Sequence, residues 1–173
     1  MPNPNPNPDP SSDTARLVAW GQELLAVHGR LRDALEVARE AVAAPDADPR
    51  RLPGLYCHGF CQALEGHHRG EDSAVFTVLL ELRPDLAGLV AELQRDHTML
   101  DHLLGELSRA VDAGADAATL ERHLDGIDAI METHFRYEEK RLVDVLDEPA
   151  VAAALAGADR RAVYGPLAPS DGS

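Results

Sequence analysis

Aromatic residues are scarce in this 173-residue chain, at 4% of the whole, and no stretch carries valine and isoleucine at strand spacing. That shortage excludes a sheet-based core. Leucine and alanine abound instead, so helices should dominate. Basic residues are also few: 16 Lys and Arg stand against 30 Asp and Glu, a formal charge of −14. Such a surface repels polyanions, so neither nucleic acid nor an anionic membrane is expected as a partner. No apolar run approaches the roughly 20 residues that span a bilayer. No basic start followed by an apolar stretch marks a signal peptide. The two cysteines, Cys57 and Cys61, cannot staple a fold of this size and are expected to be reduced in a cytoplasmic protein.

What is present is cut by proline and glycine into four long amphipathic segments. Met1 to Ser12 alternates Pro with Asn and Asp and reads as a disordered leader over residues 1–12. The first helix should open near Ser12-Asp13-Thr14 and run to about Ala44, before Pro45. Asp48-Pro49 reopens a helix that reaches about Leu82, with an irregular turn at Pro53-Gly54. Pro84 starts the third, ending near Gly114, and Asp116 caps the fourth, which runs to about Asp147. Short loops between helices of similar length predict an all-α, up-down-up-down antiparallel four-helix bundle over residues 13–148. Residues 149–173 should add a short peripheral helix, from Val151 to about Tyr164, and a tail.

Within this frame two copies of one pattern stand out: His67 with Glu71, and His134 with Glu138, each four residues apart. That spacing is about one helical turn, so both side chains leave the same face. At about 100° per residue, His67 and Glu71 fall among Phe60, Leu64, Val75 and Val78, and His134 and Glu138 among Ile127, Ile130, Met131, Leu142 and Val145. His28 falls among Leu24, Leu25, Leu31 and Leu35, and His97 among Val90, Leu93, Leu100 and Leu104. All six polar groups sit near mid-helix on stripes that should face the core, so an antiparallel bundle brings them to one level.

A lone histidine on an apolar stripe is ordinarily a hydrogen-bonded core residue. Two buried carboxylates change the balance, because an ionised carboxylate is costly to bury unless paired or coordinated. A metal-free network of His⁺–Glu⁻ pairs is the competing reading, at several kcal/mol of desolvation per ion. Imidazole with carboxylate suits iron, zinc or manganese, and four histidines with two carboxylates exceed one tetrahedral zinc. They suit two ions, each with two terminal histidines, bridged by two glutamates: di-iron first, di-manganese as the alternative. Ferritin-like bundles use Glu-x-x-His, whereas here histidine comes first and the spacing is four.

The order His28, His67-x-x-x-Glu71, His97, His134-x-x-x-Glu138 resembles the hemerythrin-like (HHE) family. The resemblance covers about residues 14–147. It implies a four-helix bundle with a non-haem di-iron centre, histidines as terminal ligands and Glu71 and Glu138 as bridges. One position departs from the pattern. Oxygen-carrying hemerythrins place a second histidine four residues after that of the third helix, and here that position is Asp101. His102 lies about 140° from His97. Either Asp101 coordinates, or one iron lacks a histidine and keeps an open position, which favours oxygen or peroxide activation over reversible carriage.

The other candidates are weaker. His68 lies about 100° from His67 and, with Asp72 at i+4, forms a third His–carboxylate pair, an alternative register for the site. Cys57 and Cys61 align with His68 on a flank, as small contact residues or a redox pair. His58 should face solvent, and His123 lies three turns from His134. Tyr137 beside Glu138 is either a donor to the metal ligands or packing. For function, a di-iron protein binding oxygen, peroxide or nitric oxide stands first, and a di-iron oxidase or oxygenase for a small organic substrate second. Whether the chain is an enzyme stays open. A phosphotransfer bundle built on His68 leaves His28, His97, His134 and both glutamates unexplained. No output segment accompanies the bundle, so sensing would need a protein partner.

Overall fold

The structure is a computed structural model and describes residues 19–44 and 52–168. The leader at residues 1–12 and the caps expected at Ser12-Asp13-Thr14 and Asp48-Pro49 lie outside the described residues. Four long helical rods form the body. They are α1 (Ala19–Ala43), α2 (Leu52–Gly70) continuing through a π turn (Glu71–Val75) into α3 (Phe76–Leu82), α4 (Ala87–Asp112) and α5 (Ala117–Leu146). Two short helices follow, α6 (Pro149–Leu155) and α7 (Arg160–Tyr164). Around the bundle α1 packs on α2, α2 on α4, α4 on α5 and α5 back on α1, the circuit of an antiparallel up-down-up-down arrangement. No helix among the described residues is long and apolar enough to cross a membrane.

The boundaries follow local chemistry. Asp116 caps α5 by accepting a hydrogen bond from the Thr119 N–H at 2.8 Å, which satisfies one of the free donors of the first turn. Pro84 opens a 3-10 turn, Pro84–Leu86, leading into α4. Gly114, at φ 70°, ends the long α4 and lets the chain reverse. Each rod then buries an apolar stripe: Leu24, Val27, Leu31 and Leu35 on α1, Leu93, Leu100 and Leu104 on α4, Leu124, Ile127, Met131 and Leu142 on α5.

The second rod departs from a simple stripe in two ways. On α2 the buried face is wide, taking in Cys57, Phe60, Cys61, Leu64, His67 and His68. From the end of the π turn it shifts to Val75, Phe76 and Leu79, while Val78 is only partly buried. In that turn the Phe76 N–H bonds back to the Glu71 carbonyl, five residues away, so the register slips by one. Constant periodicity cannot foresee such a slip.

The C-terminal segment is not peripheral. Instead of one helix it forms two, and Val151, Ala152, Leu155, Val163 and Tyr164 are buried against the bundle. Tyr164 donates its hydroxyl to the Trp20 carbonyl at 3.0 Å, tying α7 to the start of α1. Two glycines make the approach possible. A Cβ on Gly70 would stand 2.3 Å from the Val163 carbonyl oxygen, and Gly165, at φ 80°, passes where a Cβ would meet the His67 backbone nitrogen at 2.6 Å. Gly70→Ala should therefore lift α7 off the rod and cost about 1–3 kcal/mol. Gly126→Ala, with nothing within 4 Å of its Cβ, should be neutral or stabilising. Denaturant unfolding of the two variants checks this, and equal midpoints would contradict it.

Candidate metal centre

Halfway along the bundle seven polar side chains from all four rods meet in an otherwise apolar interior. His28, His67, His68, Glu71, His97, His134 and Glu138 are all buried, and Glu71 and Glu138 are fully so. Their candidate ligand atoms form two groups, one of His28, His67, Glu71 and Glu138 and one of His68, His97 and His134, each within 4.8 Å. The six residues expected from the stripes are thus brought together, and His68 joins them.

Ring orientation explains why the nitrogens converge. The Nδ1 of His28 faces Glu139 at 2.9 Å, that of His97 faces Asp72 at 3.1 Å, and that of His134 faces Asp96 at 3.4 Å. A carboxylate at Nδ1 selects the tautomer protonated there and leaves Nε2 as a bare lone pair. Those Nε2 atoms point at one another: 3.1 Å separates His28 from His67, and 3.2 Å separates His97 from His134. The bare Nε2 lone pairs of His97 and His134 repel at that distance unless a proton or a cation lies between them, and a cation would serve the His28–His67 pair in the same way. Ligands about 2.1 Å from one ion and roughly at right angles are about 3 Å apart, which is the spacing seen.

The glutamates link the two pairs. One oxygen of Glu71 lies 3.2 Å from His67 Nε2 and the other lies 3.5 Å from His97 Nε2. Glu138 Oε2 lies 3.4 Å from His28 Nε2 and 3.6 Å from His134 Nε2. Each carboxylate therefore spans from one histidine pair to the other. All four of their oxygens are buried without a hydrogen-bond partner. Burying carboxylates in that condition is unfavourable by several kcal/mol, and cations between the two pairs would satisfy them. The residues fit such ions.

Electrostatics in the metal-free protein tell the same story. Burial, then the neighbouring charges of Glu138 and Asp72, push the Glu71 carboxyl well above its ordinary range. Burial also pushes Glu138 up, but the His28 contact and the charges of His134 and His28 outweigh it and leave the group low. Burial, reinforced by the surrounding imidazoles, holds His67 and His68 well below 6.5. For His28 burial acts downward, yet Glu138 and Glu139 win and raise it. Glu139 is itself fixed by Arg32 at 3.0 Å.

His68 shows where the helical wheel misleads. Adjacent residues on α2 diverge by about 100°, but α2 lies between α1 and α4. His67 turns toward His28 on α1, while the His68 ring stacks on His97 of α4 with centroids 4.1 Å apart. The buried cysteines two and three turns earlier mark the same α2–α4 seam, with Cys61 Sγ 3.9 Å from the Leu104 carbonyl. Burial raises both thiols to about 11, which leaves them protonated and unreactive. The expected i+4 pairing of His68 with Asp72 does not form, since Asp72 reaches across to His97.

Asp101 does not join the cluster. Its side chain is 57% exposed and stands 4.0 Å from His68 Nδ1, on the solvent side of that ring. A cavity of about 530 Å³ lies there, lined by Glu65, His68, Arg69, Asp72, Ser73 and Asp101. Tyr137 turns outward and donates to Glu92 at 2.8 Å, and His58 pairs with Asp112 at the surface. Tyr164 is the tyrosine beside the cluster, its ring centroid 6.2 Å from that of His67. Asp96 and Glu139 went unforeseen as partners of the histidines, and Asp72 was expected at His68 rather than at His97. The available signal was their position next to a ligand: each directly precedes or follows one in sequence.

Fold and site together define a four-helix bundle built around a buried His/Glu cluster suited to a metal, most simply a pair of ions. Residues 22–160 match the Hemerythrin HHE cation binding domain, and the chain belongs to that family. No curated protein and no solved structure was found to match it.

Cation binding should be coupled to protons. Glu71 and His28, both raised, must deprotonate to act as ligands, so affinity should climb with pH through the region above 4.5 and 6.5. His67 and His68, both lowered, are already neutral at 6.5 and add no dependence above it. An indicator dye in weak buffer should record proton release when zinc or ferrous ion is added. An affinity flat between about pH 6 and pH 8 would contradict this.

Proposed function

We propose that the cluster is a dinuclear non-haem iron centre, with manganese the alternative metal, that binds or activates oxygen, peroxide or nitric oxide. The observation that carries this reading is the pairwise convergence of Nε2 atoms with Glu71 spanning both pairs. On this reading His28 and His67 would hold one ion and His68, His97 and His134 the other, with Glu71 and Glu138 available to both. Two ions sharing five imidazoles and two carboxylates have more donors than tetrahedral zinc uses. Iron would supply redox chemistry and an exchangeable coordination position for a small ligand.

The protein's own part is positioning and exclusion of water. Arg32 holds Glu139, and Glu139 holds His28. Phe135 stacks on the His28 ring at 3.8 Å, so the two-histidine half is walled by an apolar face. With fewer protein donors, that half is where a small ligand has room. What favours a small ligand over an organic substrate is this closed, fully buried setting. The adjoining cavity is lined by charged and polar residues and by none of the hydrophobic or aromatic side chains that usually line an organic-substrate pocket. A cytoplasmic setting and a protein partner for any signal output belong to the same proposal.

Metal analysis of freshly purified protein tests it. About two irons per chain are expected from the two ligand groups, and Glu71→Ala/Glu138→Ala should abolish retention. His68→Ala should weaken or empty one position, whereas Asp101→Asn should keep both. Oxygen, peroxide and nitric oxide titrations of the reduced protein, followed optically, then identify the ligand. A single zinc per chain, or metal loss in Asp101→Asn with none in His68→Ala, would overturn the assignment.

A further inference from the structure

We propose that the cavity beside His68 is the route by which hydrated divalent cations reach the centre, with Asp101 and Glu65 drawing them in. The proposal rests on the dinuclear reading and adds a loading path to it. Three carboxylates, Glu65, Asp72 and Asp101, face one guanidinium, Arg69, around this space. A recess lined mainly by one sign of charge concentrates ions of the other sign, so cations are favoured over anions here.

The inner wall supplies the second observation. His68 is 2% exposed, lines the cavity, and has no hydrogen-bond partner on either ring nitrogen. His28, His97 and His134 each have Nδ1 facing a carboxylate within hydrogen-bond distance. His68 therefore has the fewest bonds to break if its ring turns between cavity and cluster. Its Nδ1 stands 4.0 Å from the exposed Asp101 carboxylate, and its ring lies on His97. Exposed carboxylate, unpartnered imidazole and buried cluster thus form a graded series of ligands along which a cation can exchange its waters stepwise.

Among the described residues the opposite side of the centre is covered. There Phe135 covers His28, and the segment at Gly165 and Pro166 lies directly against Gly66 and His67.

Stopped-flow mixing of the metal-free full chain with cobalt(II), followed by visible absorbance, tests the route. Glu65→Gln/Asp101→Asn should slow uptake about tenfold at low ionic strength. Arg69→Gln should accelerate it. Both variants should reach the endpoint of the unmodified chain, and added salt should shrink the differences. Equal rates with normal endpoints would overturn the route alone. A lower endpoint in the double variant would also overturn it, because those carboxylates would then be ligands. No cobalt uptake by the unmodified chain would overturn the dinuclear reading and the route with it.

Discussion

Two carboxylates placed where no hydrogen bond reaches them are the constraint on which this structure turns. Glu71 and Glu138 are fully buried, and none of their four oxygens has a hydrogen-bond donor. In a metal-free bundle the cheapest response is to keep one of them protonated, and the upward displacement of Glu71 expresses that. Cations between the histidine pairs would remove the penalty for both carboxylates at once. The bundle therefore carries a destabilising element at mid-height that a bound cation would turn into a stabilising one, coupling folding to occupancy.

The histidines depend on the same constraint through a second layer of charge. Asp72, Asp96 and Glu139 stand at the Nδ1 atoms of three imidazoles, and Arg32 in turn fixes Glu139. Nε2 is then the free nitrogen, and the rings are aimed inward before any ion arrives. Such preorganisation matters because a ligand ring left to rotate loses entropy on binding. It also places negative charge around the cluster, where it would favour cations without adding further anions among the candidate ligands. The acids lie on the π turn of the second rod, on α4 and on α5, beside the cluster residues they serve, so helix geometry sets both layers together.

Much of this was legible in the residues. Constant helical periodicity placed His28, His67, Glu71, His97, His134 and Glu138 on core stripes, and proline, glycine and Asp116 located the breaks between rods. Two features were not legible, for a shared reason. The π turn at Glu71–Val75 slips the register by one, moving the buried stripe from Val78 to Leu79. The wide face of α2 admits His68, which a narrow stripe assigns to the flank. Both depend on how many neighbours a helix touches, and a helical wheel drawn for one helix carries no such information. The C-terminal helices were undervalued likewise: their few apolar residues look peripheral until Gly70 and Gly165 allow the backbone to close on α2.

His68 also alters what Asp101 means. Oxygen-carrying hemerythrins draw a further imidazole from the third rod, one turn beyond His97, and an aspartate there first suggests a deficient or carboxylate-rich centre. With His68 as a ligand, adjacent histidines on α2 would remove that deficiency. Because their side chains diverge, one reaches the His28 side and the other the His97 side, while Glu71, a turn later on the same rod, spans the two. One helix then contributes to both halves and to the link between them. Position 101 lies 57% exposed with its carboxylate 4.0 Å from His68 Nδ1. On the dinuclear reading this chain would draw that imidazole from the second rod rather than the third, leaving a negative charge at position 101.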